Sequence, residues 1–529
     1  MARFSSIAVL SLAIILGLLF RQTGPFSDGI ETFVWAESTA EKIATELRPQ
    51  LSNSSNILEP GNPQWEHATE RFDQYSEPNV KLVVQPGEEA DVPKIVRYAN
   101  RNKIRFLVVN RGHGMSTTLN KFEGMMIDMS KLRKLSVTAG GKTAWIQGGA
   151  VAGEVIDSLW NEGYVTATGS TPCVGLLGVA LGGGRGRLEG TYGLMSDNFV
   201  TLNVVLANGI SVRVSEDSNP DLFWAMKGAG HNFGIVTSLE VKLYPRFVEQ
   251  WYYKNYVWPQ DKLETIFEQL NAFHNNGSHT AKMAVNYGVY TLVPPISETE
   301  PVIWWSFAYA GPEEEAQQYL DAFDKINAIH SEGGTAPYNE IAAVTGTGMD
   351  APGCNVGNVH MHCTAALQVW NATAQRQIYD LYRGNIQKYP VFSRSIVIME
   401  DYAHERVAAI DAASSAYALR DRSLLNLIDI AYTPDSALDA IAYEWASQTR
   451  DLWNQGQPDL LPATYVNYAH GDESAESMYG YEPWRLEKLR QIKAEVDPLG
   501  HFDYFNSVRL GEGKDNTKWG YRKFWELLG

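Results

Sequence analysis

Between Gly169 and Gly193 the chain reads GSTPCVGLLGVALGGGRGRLEGTYG and holds nine glycines. Glycine costs roughly 1 kcal/mol per helical position relative to alanine, so the run predicts irregular backbone rather than regular helix. Backbone without a Cβ can approach another surface closely. Its exposed amides can surround a pyrophosphate without the helix of a Rossmann unit. Two further loops offer the same property, Arg111-Gly112-His113-Gly114 and Gly228-Ala229-Gly230-His231-Asn232-Phe233-Gly234. The second is near the dinucleotide fingerprint, but it has one residue too many before its last glycine and runs into the strand-like Ile235 to Leu243 instead of opening a helix. Gly182-Gly183-Gly184-Arg185-Gly186 has the wrong spacing altogether. A large dinucleotide held by several loops fits this pattern better than a mononucleotide held by one.

The 529 residues exceed the usual span of one domain, so two are expected. Val80 to Gln85 reads as a strand ended by Pro86-Gly87. Val92, Ile95, Val96 and Ala99 share a helical face, and Ile104 to Val109 returns to strand. Short strands follow at Gly124 to Asp128, Ala144 to Gln147, Val200 to Ala207 and Val212 to Val214. Past Pro245 the aromatic strands Trp251 to Trp258, Val285 to Val293 and Val302 to Ala310 alternate with helices such as Pro312 to Ile326. That pattern suits a sheet with one face on helices and the other on a ligand. Ordinary core is the alternative for any one of these rings. The 44% hydrophobic and 20% charged residues exclude a disordered, collagen-like or multi-span membrane chain. A net charge of −17 disfavours nucleic acid and anionic lipid as partners.

Arg3 precedes the apolar stretch Ile7 to Phe20, which matches a signal-peptide core and falls short of the ~20 residues that span a bilayer. Secretory entry through residues 1–22 is expected, with an uncleaved anchor left open because Phe20-Arg21-Gln22 makes no small-residue cleavage site. Sequons at Asn53, Asn276 and Asn371 fit glycosylation in that compartment. Of the three cysteines, one must stay unpaired. A loop-closing disulfide between Cys354 and Cys363 is the first reading; free thiols, or a metal held with His360 and His362, are the alternatives.

Four segments together resemble the berberine bridge enzyme-like FAD-linked oxidoreductases: VKLVVQPGEEADVPKIVRYANRNKIRFLVVNRGHG (Val80 to Gly114), GSTPCVGLLGVALGGGRGRLEGTYGLMSDN (Gly169 to Asn198), DLFWAMKGAGHNFGIVT (Asp221 to Thr237) and YVNY (Tyr465 to Tyr468). They occur in family order over residues 75 to 510. The resemblance implies an α+β fold of the vanillyl-alcohol oxidase type. A split, two-subdomain FAD-binding domain would take residues 75–246 and 465–510, and a substrate domain with an antiparallel sheet backed by helices would take 247–464.

It also implies that His113, in the loop with Arg111, Gly112 and Gly114, bonds covalently to the flavin 8α-methyl, an imidazole nitrogen being a competent nucleophile there. Thr171 stands where many members attach a second time through cysteine, and Cys173 is displaced by two residues, so single attachment is expected. Val174 resembles the small residue of members that admit oxygen to the flavin. Gly183, Asn198, Asn232, Asn467 and Asn506 match positions along FAD. Arg185 replaces a frequent cavity tyrosine and is expected to meet an acidic or carbonyl group of the substrate or to turn outward.

Oxidation by flavin requires loss of a substrate proton, hence a base. The resemblance makes Tyr465 the first candidate, provided that a neighbour lowers its pKa, with Glu400 second. The expected activity is oxidation of a small alcohol- or amine-bearing secondary metabolite with molecular oxygen as acceptor. Oxidative cyclisation, carbohydrate oxidation and a non-catalytic binding role are the competing classes.

Overall fold

Pro86 and Gly87 stop the first apolar run, and the chain turns into the helix Val92–Arg101, whose Val92, Ile95, Val96 and Ala99 are buried on one face. The computed structural model describes residues 37–275, 279–294 and 296–510. The expected signal or anchor at residues 1–22 and the sequon at Asn276 lie outside them. No helix of the described residues is long and apolar enough to cross a membrane. Asn53 and Asn371 are exposed.

Strands β1 (Asn56–Leu58), β2 (Asn79–Gln85), β3 (Phe106–Val109) and β4 (Glu123–Asp128) form a sheet in the order β1-β2-β4-β3. The β2-β4-β3 part is parallel, joined by the crossover expected of a β-α-β unit. Strands β5 (Leu135–Val137), β6 (Thr143–Gln147), β8 (Phe199–Val205), β9 (Ser211–Val214) and β10 (Ile235–Lys242) make an antiparallel sheet in the order β5-β6-β10-β8-β9. A small pair joins β7 (Tyr164–Val165) to β11 (Tyr244–Pro245). The third sheet holds β12 (Trp251–Trp258), β13 (Met283–Val293), β14 (Ser297–Tyr309), β15 (His330–Ala336), β16 (Val359–Leu367), β17 (Ile396–Asp401) and β18 (Leu424–Tyr432). It is antiparallel throughout, in the order β15-β12-β14-β13-β17-β18-β16.

Period-2 alternation gives this third sheet two unlike faces. Tyr256, Trp258, Tyr290, Trp305 and Phe307 point into a core with the helices Leu263–His274, Glu313–Asp324, Ala372–Lys388 and Ser436–Gln455. Burying each such ring contributes on the order of 2–3 kcal/mol. Most of the aromatic strand residues are therefore core, not ligand wall. The opposite face carries Tyr253 and Tyr287, packed near Trp160, Leu188 and Tyr338.

The glycine run departs from the expectation of irregular backbone. Leu176, Leu177, Ala180 and Leu181 are buried and hold a helix, Leu176–Leu181, across Gly178. Burial of four apolar side chains outweighs the cost of one helical glycine. Residues 37–77, in the polar leader before Pro78, also fold. The helix Glu37–Leu47 and β1 deliver Ile43, Leu47 and Ile57 to the core beneath the first sheet.

Candidate active site

The loops after β3, around 171–181, before β10 and at 501–505 enclose a cavity of about 340 Å³. Arg111, Gly112, His113, Gly114, Thr171, Val174 and Asn467 all line it, as expected. So do Arg71 and Phe72 from the leader, His231, and Tyr468 beside the motif tyrosine, none of which was expected there. Arg71 is buried and donates to the Gly114 carbonyl at 2.8 Å, with no carboxylate paired to it among the described residues. Two arginines at one loop-built cavity suit a pyrophosphate, whose charges would meet Arg71 and Arg111.

His113 is the reactive candidate in this wall. Burial pushes its pKa down to about 4, so the ring is neutral at physiological pH. Nε2 donates to the Gly353 carbonyl at 3.3 Å. That tautomer leaves the lone pair on Nδ1, which is buried and has no hydrogen-bond partner among the described residues. Phe72 stacks on the ring at 5.0 Å between centroids, fixing its plane. A neutral imidazole with one oriented, unsolvated lone pair is the form a covalent attachment needs.

The loop that supplies Gly353 is tied down by a disulfide between Cys173 and Cys354. This corrects the expected Cys354–Cys363 pair: their Cα atoms need to approach within ~7 Å for a bridge, and it is Cys173 that meets Cys354, at 5.8 Å. Cys363 is a free thiol buried in β16, and burial pushes its pKa up. His360 donates to Asp429 at 2.9 Å and His362 to the His360 carbonyl at 3.1 Å, so both take structural partners.

Several expected cofactor residues are placed elsewhere. Asn198 donates to the Leu194 carbonyl and accepts from Tyr244 at 2.7 Å. Asn232 accepts from the Val508 amide, and Asn506 accepts from Ser116 while donating to the Val466 carbonyl. Saturated by protein partners, these three asparagines clamp loops together and do not line the cavity. Gly183 does not line it either. With φ at +110°, and with space where an added Cβ would lie 2.4 Å from the Tyr417 ring, only glycine fits there. Arg185 takes neither expected orientation. It is 4% exposed, pairs with Glu189 at 2.7 Å and donates to the carbonyls of Arg422 and Ser423.

Tyr465, 2% exposed, lies behind the cavity wall. Its hydroxyl accepts from Asn467 Nδ2 at 2.7 Å and from the Arg185 amide at 3.2 Å. Burial raises its pKa, against the lowering that a tyrosinate base requires; the Arg185 amide and Asn467 only partly offset this. Tyr465→Phe is expected to destabilise the protein by about 1–3 kcal/mol through the donors left unpaired, read as a lowered thermal midpoint at unchanged flavin content.

Glu400, by contrast, is wired to the cavity. Tyr468 donates to its Oε2 at 3.0 Å and Tyr402 to its Oε1 at 2.9 Å. Ser170 lies 3.0 Å behind the Tyr402 hydroxyl. Burial raises the carboxyl's pKa, and the two phenol hydrogen bonds hold it back.

Residues 80–215 match the family described as FAD binding domain, and residues 464–509 match the family described as berberine and berberine like. The FAD-linked oxidoreductase anuG of Penicillium roqueforti is 48% identical over 508 residues, covering 96% of this chain and all of that protein. Among solved structures, Physcomitrella patens BBE-like 1 aligns with a TM-score of 0.75 at 18% identity, over 90% of this chain and 100% of its own. A glucooligosaccharide oxidase from Acremonium strictum, described with a 6-S-cysteinyl, 8α-N1-histidyl FAD, aligns at 0.74 and 20% identity, over 88% of this chain and 98% of its own. With segments 80–215 and 464–509 closing one cavity and a full-length relative at 48% identity, the chain belongs to the berberine bridge enzyme-like FAD-linked oxidoreductases.

Proposed function

We propose that this oxidoreductase is an FAD oxidase of a small alcohol- or amine-bearing secondary metabolite, with the flavin joined to His113 Nδ1. Bound flavin supplies the hydride acceptor and passes its electrons to oxygen. The chain's part is to hold that cofactor, orient the substrate and take up its proton. Residues 75–246 and 465–510 hold FAD, with Arg71 and Arg111 toward the pyrophosphate and Thr171, Val174 and Asn467 along the rest. Residues 247–464 cover the substrate side. The small Val174 leaves oxygen a path.

The observation that carries this reading is the Glu400–Tyr468 hydrogen bond, which connects a half-buried carboxylate to the cavity wall. A substrate O–H or N–H set against Tyr468 can pass its proton through the phenol to Glu400, which burial makes a stronger base than an ordinary glutamate. Arg185 and Tyr465 position this wall from behind. The Cys173–Cys354 disulfide and the exposed sequons support the secretory route.

The test is oxygen uptake and peroxide release by the purified yellow protein on a panel of primary and secondary alcohols and amines. Bleaching of the flavin without air, but no peroxide in air, would make it a dehydrogenase. Carbohydrate oxidation is the second reading, favoured by the fold shared with the glucooligosaccharide oxidase, and turnover of oligosaccharides alone would select it. A product two hydrogens lighter with a new ring would select oxidative cyclisation.

A further inference from the structure

The glycine-rich loop carries two buried arginines two residues apart, and they are treated in opposite ways. Arg185 spends its guanidinium on Glu189 and on two carbonyls. Arg187 is also buried, at 6% exposure, yet it makes a single hydrogen bond, from Nη2 to Thr347 Oγ1 at 2.8 Å. Among the described residues it has no ion pair. A guanidinium keeps its charge in proteins and has five donors. Buried charges are almost always paired. Arg187 is therefore a cation without its counter-charge.

Its surroundings say where that counter-charge belongs. Burial raises the phenols of Tyr287, Tyr338 and Tyr402, and the Arg187 charge acts on all three in the opposite sense. Tyr402 donates to Glu400, and Tyr287 is the register partner of Glu400 across β13 and β17. Glu400 itself is engaged by two phenols and forms no ion pair with Arg187. The backbone is shaped for this placement. A Cβ at Gly186 would lie 2.0 Å from the Thr168 carbonyl, so glycine there lets the chain pass and present Arg187. The anchor Thr347 sits beside Gly346, where an added Cβ would lie 3.5 Å from the Tyr287 hydroxyl.

We propose that Arg187 is the anion-binding residue of the substrate pocket and that the substrate carries a carboxylate close to the carbon that is oxidised. The proposal rests on the oxidase reading for the word substrate, but its test reads binding alone. Oxidised holoenzyme is titrated with benzoate and with the neutral isostere benzamide, and with acetate and acetamide, following the visible flavin spectrum. Wild-type protein is expected to bind at least one carboxylate about 10-fold or more tightly than its amide, the discrimination of one charge-assisted contact. Arg187→Gln is expected to erase that preference at unchanged flavin content, and Arg187→Lys to restore part of it. Equal binding of acid and amide by wild-type protein, or a preference that survives in Arg187→Gln, overturns the proposal. Should Arg187→Gln not fold, the wild-type comparison decides. Oxidation of neutral alcohols without any carboxylate preference would remove this inference and leave the oxidase reading standing.

Discussion

Replacing His113 by alanine is expected to move the yellow colour from the acid-precipitated pellet to the supernatant. In the native chain the Gly353 carbonyl holds the Nε2 proton, which leaves the lone pair on a buried Nδ1 with no competing donor among the described residues. Alanine removes the nucleophile and nothing nearby replaces it. Cys173, 3.7 Å from the ring, has its sulfur committed to Cys354. A flavin-linked peptide from wild-type protein is therefore expected to contain His113 and not Cys173. Because the imidazole pKa is pushed down to about 4, attachment to apoprotein is expected to proceed at a rate independent of the ring's titration from about pH 5 to 8 and to slow only in stronger acid, where the lone pair is protonated. Complete release of flavin from wild-type protein into acid would sink the covalent assignment.

Glu400→Gln is expected to slow anaerobic flavin reduction by ~10²- to 10⁴-fold, the usual contribution of a general base, while FAD content and fold survive. The amide can still meet Tyr402 and Tyr468 but cannot take a proton. Tyr468→Phe should cost most of the same factor, since it removes the hydroxyl on the cavity side. Tyr465→Phe should change the rate little beyond its effect on stability. In the wild-type enzyme the rate is expected to rise with pH as Glu400 ionises. That acid limb should lie above the ~4.3 of an ordinary glutamate because burial raises the group, and it should vanish in the Gln variant. Stopped-flow reduction across pH decides the matter. A slow Tyr465→Phe beside a fast Glu400→Gln would return the base to Tyr465.

Local signals made the strands and glycine loops legible. Trp251 to Trp258 is a strand with those limits, and RGHG does deliver His113 to the cavity. What stayed hidden depends on partners far along the chain. Asn198, Asn232 and Asn506 look like cofactor ligands until Tyr244, Val508 and Ser116 are seen to saturate them. Alternation showed that the aromatic strands have two faces, but not that the helices claim Trp258 and Trp305. Arg185 and Glu189 stand at helical spacing, yet only the folded chain shows the pair sealed from solvent. Arg71 and Phe72 reach the site from a leader with no motif, placed by the backbone bond from Phe72 to the Gly112 carbonyl.

The Cys173–Cys354 bond spans 181 residues and joins the glycine-rich segment to the loop whose Gly353 carbonyl selects the His113 tautomer. On the proposed secretory route, maturation is expected to follow an order: Cys173 and Cys354 would be oxidised first and seat the Gly353 carbonyl, and the imidazole would then present a single reactive nitrogen. A chain kept in a reducing compartment would fold around its cofactor with that selector untethered, so holoenzyme yield would follow the redox state of the host as much as its supply of riboflavin.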